Sequence, residues 1–85
     1  MNIIITGASK GIGYEIAKLL SAQNGSLRTD HKVINISRSA EKHRLPGVIP
    51  IAFDLEKGNI SSDLLPRIKR HFQTVDVLIN NAAVL

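Results

Sequence analysis

Ile3-Ile4-Ile5-Thr6-Gly7-Ala8-Ser9-Lys10-Gly11-Ile12-Gly13 is the stretch on which the fold of this 85-residue chain turns. Three consecutive isoleucines predict a strand over Asn2 to Thr6 that is buried on both faces, since a half-exposed strand would alternate. Past the glycines the apolar spacing changes to the helical period. A strand, a glycine turn and a helix start form the context in which a loop cradles phosphate. Gly7 turns the chain off the strand. Gly11 and Gly13 lack a Cβ, so an anion is expected to approach the backbone where a helix N-terminus offers N–H groups and a positive dipole end.

Working outward, Ile12, Ile16, Leu19 and Leu20, with Ala17 nearby, predict one apolar face of the first helix, and Asn24-Gly25 supplies its stop. A polar loop over Ser26 to Lys32 follows. Val33 to Ile36 reads as the second strand, ending at Ser37-Arg38. Ala40 to Arg44 forms a turn or two of helix before Pro46-Gly47. Val48 to Phe53 reads as the third strand, and Pro50 assigns it to a sheet edge, where a missing N–H faces away from the ladder. Asp63 is the expected N-cap of a helix with Pro66 in its first turn and with Leu64, Leu65, Ile68 and Phe72 on its apolar face. Val75 to Asn80 reads as the fourth strand. This alternation predicts a parallel sheet of order 3-2-1-4 with right-handed crossovers, half of a doubly wound α/β fold.

Bulk properties narrow the function classes. One small domain is the most that this length allows, and it buries about 60–65% of its extended surface. No cysteine is present, so neither a disulfide nor a thiolate metal site supports the core. His31, His43 and His71 lie far apart without ligand spacing. The formal charge of +4 is carried by scattered residues with no aromatic series, which argues against a nucleic-acid partner. With no signal peptide and no apolar run of membrane length, a cytoplasmic location and no membrane partner are expected.

The glycine spacing is specific. Ile16 stands where G-x-G-x-x-G needs its third glycine, and G-x-x-x-x-G-K-[ST] also fails. The pattern present, T-G-x-x-x-G-x-G, resembles the cofactor loop of the classical short-chain dehydrogenases/reductases, and the extended branch with G-x-x-G-x-x-G fits less well. Asn80-Asn81-Ala82-Ala83 at the end of the fourth strand is similar to that family's N-N-A-G, with Ala83 in place of glycine. Asp54-Leu55 stands where the family has an adenine-recognising aspartate, although Asp54 serves equally as a turn or cap residue.

The resemblance implies that these residues are the N-terminal, incomplete part of a single NAD(P)-binding Rossmann-like domain. It implies cofactor contacts from Gly7, Ser9, Lys10, Gly11, Ile12 and Gly13 in the loop, from Asp54 and Leu55, and from Asn81, Ala82 and Ala83. At the second strand's end, Ser37 occupies the place of an acid that would bond a ribose 2′-hydroxyl, and Arg38 next to it accommodates a 2′-phosphate. NADP is therefore expected over NAD. Tyr14 and Lys18 match the family's catalytic Y-x-x-x-K by letter only. They fall on the first helix, away from its apolar face, so no catalytic residue is expected among these 85. A hydride transfer between nicotinamide and an alcohol or carbonyl would need a serine, tyrosine and lysine further along. The alternative is a non-catalytic nucleotide-binding or interaction module with the same loop. A homo-oligomer is expected, with self-association through the edge of the fourth strand.

Overall fold

The computed structural model describes residues 1–9, 11–21 and 31–81. Lys10, the Asn24-Gly25 stop, most of the following loop, Ala82 and Ala83 lie outside the described residues. Four strands, β1 (Asn2–Thr6), β2 (Lys32–Ser37), β3 (Val48–Ala52) and β4 (Val77–Asn80), form one sheet of order β3-β2-β1-β4. Every pairing is parallel: Ile4 lies beside Ile34 on one side and Leu78 on the other, and Asn35 lies beside Pro50. Helix α1 (Gly11–Leu20) follows β1, a 3₁₀ turn (Ala40–Lys42) follows β2, and a π-helical turn (Ile60–Leu64) leads into the short helix α2 (Leu65–Lys69).

The unbroken isoleucine run has a direct structural counterpart. Ile3 and Ile5 of β1 and Val33 of β2 point to the α1 side, where they pack with Ala8 and Ala17. Ile4, Ile34 and Ile36 point to the other side, onto Ile51, Phe53, Leu64, Ile68 and Phe72. A sheet covered on both faces requires apolar residues at both parities, and this is what the central strands supply.

Pro50 sits in the edge strand as expected. The Phe53 amide donates to the Ser37 carbonyl at 3.0 Å. By the period of two, residues 49, 51 and 53 face β2, and the Pro50 nitrogen faces the open side. The Ala52 carbonyl shares that open side and accepts 2.7 Å from Arg67 Nη1, so this edge is partly occupied.

Three local expectations are corrected. On α1, Ile12 and Leu19 are 73% and 78% exposed, and the buried residues are Gly13 and Ala17, with Ile16 and Leu20 half-buried. Small residues face the sheet because the helix lies close to it, and this rotates the larger pair outward. At the second helix the cap is Asn59, whose side chain accepts from the Ser62 amide at 3.0 Å, while Asp63 is exposed and Leu65 faces out. The widened turn closes with the Leu65 amide on the Ile60 carbonyl, so Pro66 enters α2 at a position that needs no N–H. Finally, β4 begins at Val77, because Asp76 closes the sheet's lower end. Its carboxylate accepts from the Asn2 amide at 2.7 Å, and its own amide donates to the Asn2 carbonyl at 2.8 Å. Among the described residues, no helix is long and apolar enough to cross a membrane.

Candidate functional site

The chain leaves β1 for α1 and runs outward through β2 to β3, whereas β4 lies on the other side of β1. The carboxyl ends of β1, β2 and β4 therefore meet at the point where the strand order reverses, which is where open α/β sheets bind ligands. The glycine loop occupies that point.

Two sets of bonds fix the loop. On the β2 side, the Gly7 amide donates to the Ile36 carbonyl at 2.9 Å, with Gly7 at φ 72°. The Ala8 amide donates to Asn35 Oδ1 at 3.0 Å, and Asn35 Nδ2 lies 3.5 Å from Ser9 Oγ. Ser9 Oγ and Ser37 Oγ are in turn hydrogen-bonded to each other. On the β4 side, Thr6 Oγ1 donates to Asn80 Oδ1 at 2.9 Å and accepts from the Asn81 amide at 3.1 Å. Asn81 Nδ2 donates to the Gly7 carbonyl at 3.1 Å. The loop is thus pre-organised by strands on both sides, with its buried polar side chains partnered.

The glycines divide the work differently from the sequence expectation. Gly11 has φ +66°, and among the described residues, apart from its chain neighbours and its own helix backbone, none has an atom within 4 Å of the position a Cβ would take, which leaves room beside it. Gly13 gives an anion no such access. Its vacant Cβ position is filled by the Asn81 side chain and by the Gly7 carbonyl, the latter at 2.7 Å. Gly13 allows the helix to dock on the loop, and Gly11 provides the opening.

The electrostatics at that opening favour an anion. The first turn of α1 holds no acidic residue, and its N–H groups have no intrahelical acceptors. At the end of β2, Ser37 is half-buried and Arg38 is exposed in the following turn. Among the described residues the one ion pair joins Arg44 to Glu41, so no described carboxylate neutralises Arg38.

Asp54 is committed locally. Its Oδ1 accepts from the amides of Glu56 at 2.9 Å and Lys57 at 3.1 Å, and its carbonyl accepts from Gly58 at 2.7 Å. It organises the turn that presents Leu55, which is half-buried against the α2-side core. Ile12 stands exposed at the head of α1, beside the opening. Tyr14 is half-buried and Lys18 exposed on α1. The residue that sequence reasoning passed over is Asn35, which is only 3% exposed. A carboxamide within an otherwise apolar, doubly covered strand was the available signal, because a buried amide needs partners.

Comparison with known proteins agrees with this geometry. The family model for short chain dehydrogenase matches residues 1–85. A probable NADP-dependent dehydrogenase of Dichelobacter nodosus is 31% identical over 90 residues, covering 99% of this chain and 79% of its own. A probable NADP-dependent dehydrogenase of Haemophilus influenzae is 31% identical over 87 residues, and the chain spans 32% of its length. Among solved structures, the KRED1-Pglu enzyme superposes with a TM-score of 0.76 at 31% identity, over 99% of this chain and 36% of that one. The chain belongs to the short chain dehydrogenase family.

Proposed function

We propose that these residues form the NADP(H)-binding part of an oxidoreductase that moves a hydride between nicotinamide and an alcohol or carbonyl. The observation that carries this reading is the pairing of an open Gly11 at an acid-free helix start with a β2 end bearing Ser37 and Arg38. A pyrophosphate fits the first feature. The open space beside Gly11 admits it, and the leading N–H groups of α1 stabilise its charge.

The second feature selects the 2′-phosphate form of the cofactor, since no carboxylate at position 37 repels it and Arg38 supplies a cation. Lys10, one residue before Gly11, adds a second cation on the loop. The relatives described as NADP-dependent dehydrogenases support this preference. In this reading Leu55 and the Asp54 turn serve the adenine end of the cofactor, and Asn81, directly after β4, serves the nicotinamide end. When bound, the cofactor supplies hydride donation and acceptance. The chain's own contribution is to hold and orient it. Tyr14 and Lys18 take no part in proton transfer, which falls to groups outside these residues.

The test is equilibrium titration of the chain with NADPH and with NADH. At least tenfold tighter binding of NADPH is expected, from one or more charge-assisted contacts of about 1.5–3 kcal/mol each. Equal dissociation constants would overturn the preference, and binding of neither would overturn the dinucleotide reading.

A further inference from the structure

Strand β2 turns Val33 to the α1 side and, two residues on, Asn35. Val33 is buried there among Ile3, Ile5, Ala8 and Ala17, and Asn35 is only 3% exposed. The register sets Asn35 beside Ile5, the penultimate residue of β1. Beyond that point the ladder runs out. The Gly7 amide still donates to a strand carbonyl, that of Ile36. Ala8 lies past it and is buried, so its N–H needs an acceptor away from solvent. Asn35 Oδ1 is that acceptor, at 3.0 Å. A backbone nitrogen can only donate, so this bond has one direction. The Nδ2 end of the same amide lies 3.5 Å from Ser9 Oγ, so one side chain underlies two successive loop residues.

We propose that Asn35 is a positioning residue for the dinucleotide: acting through Ala8, it holds the glycine loop in its binding form before the ligand arrives. The inference rests on the dinucleotide reading given above. Between Gly7 at φ 72° and Gly11 at φ 66° the chain makes the turn that leads into α1, and fixing Ala8 fixes this turn from beneath. A loop that is already ordered costs a ligand less to bind, so the bond raises affinity without touching the ligand. The acceptor is a neutral amide and adds no negative charge under an anion site. Because Asn35 acts on the loop, its effect falls on every ligand that carries a diphosphate. It leaves the choice between NADPH and NADH to the end of β2.

The experiment measures dissociation constants for ADP, NADH and NADPH, together with amide exchange by NMR. It uses the whole chain and the variants Asn35→Leu, Asn35→Val and Ile51→Ala. Leucine keeps nearly the shape of asparagine, valine suits a doubly covered strand, and neither offers an acceptor. Ile51→Ala is the control, since it removes packing in the core on the opposite face of the sheet.

In the unaltered chain the Ala8 amide should exchange about as slowly as that of Ile34 in β2. In both Asn35 variants it should exchange much faster while Ile34 stays protected. All three ligands should then bind about tenfold more weakly, in line with one buried donor left unpaired, and the NADPH-to-NADH ratio should hold within about twofold. Ile51→Ala should lower stability and leave the three dissociation constants of the folded chain unchanged. Rapid exchange at Ala8 in the unaltered chain overturns the inference, and that measurement decides it if neither Asn35 variant folds. Affinities that stay within twofold without the Asn35 oxygen also overturn it. So does a loss confined to NADPH, which would put the effect at the 2′-phosphate. An equal loss in Ile51→Ala would reduce Asn35 to ordinary core packing and overturn it as well. If the unaltered chain binds none of the three ligands, the dinucleotide reading falls and this inference falls with it. Binding of all three, with Ala8 protected in every variant, overturns the inference alone.

Discussion

The side-chain amide of Asn81 fills the space in which a Cβ on Gly13 would lie, and the same amide donates to the Gly7 carbonyl. The head of α1, the turn after β1 and the end of β4 are thus held by one small contact. Gly13→Ala should destabilise the chain by about 1–3 kcal/mol, as overpacking against backbone does. Among the described residues Gly11→Ala meets no neighbour beyond its own stretch of chain, and it carries the left-handed backbone penalty of about 1–2 kcal/mol, which Gly11→Asn should partly relieve. Urea unfolding of the three variants separates these mechanisms. Removing the Asn81 side chain should soften Gly13→Ala and leave Gly11→Ala unchanged, because only the first pair shares a space. Additive losses for Gly13 and Asn81 would contradict the shared-space account.

The sheet was legible in the sequence for a specific reason. Ile3 to Ile5 and Val33 to Ile36 must be apolar at both parities to be covered twice, and Pro50 marks an edge whatever the surrounding context. Helix faces were less legible because hydrophobicity does not reveal distance. Ala17, not Leu19, meets the sheet, since close packing favours the smaller residue, and Leu19 is left outside. Leu19→Gln should therefore change stability by less than about 0.5 kcal/mol, whereas Ala17→Leu should destabilise by about 1–3 kcal/mol. Thermal unfolding of the two variants decides it, and equal losses would restore the sequence expectation. Within the site, the glycine loop and the Ser37-Arg38 end were readable as motifs. The Asn35 bond to Ala8 was not, because it depends on the register that brings position 35 beside the loop.

Arg38 supplies the simplest check on cofactor preference. Arg38→Asp replaces the cation after β2 with a charge that repels a 2′-phosphate and accepts from a 2′-hydroxyl. NADPH binding should weaken tenfold or more, from loss of an interaction worth about 1.5–3 kcal/mol, and the order of the two cofactors should reverse. The measurement is paired calorimetric titration. An unaltered order would place the 2′-phosphate away from Arg38.

Tyr14 and Lys18 lie one turn apart on α1, the first half-buried and the second exposed. Neither is bonded to the loop network described above. In an enzyme that contains this chain, Tyr14→Phe should leave kcat and KM nearly unchanged. General acid–base catalysis contributes about a hundredfold or more, so its loss would be obvious in steady-state kinetics. A fall of that size would make this pair, despite its place on the helix, the proton-transfer machinery.

The two edges of the sheet are unequally protected. At β3, Pro50 removes a donor from the open side, and Arg67 occupies the Ala52 carbonyl there. At β4, Val77-Leu78-Ile79 carries neither a proline nor a charge, and Leu78 is 63% exposed. Unguarded apolar edges pair readily with other chains, and natural sheets block them with lysine, proline or a covering element. The 85-residue chain should therefore associate in a concentration-dependent way through β4. Leu78→Lys places a charge on that strand and should shift the chain toward monomer. Sedimentation velocity over a hundredfold concentration range reads the association directly, and amide exchange locates it through slowed exchange at Val77 to Ile79 as the concentration rises. A chain that stays monomeric throughout, with those amides protected even at the lowest concentration, would mean that the β4 edge is covered within a single copy.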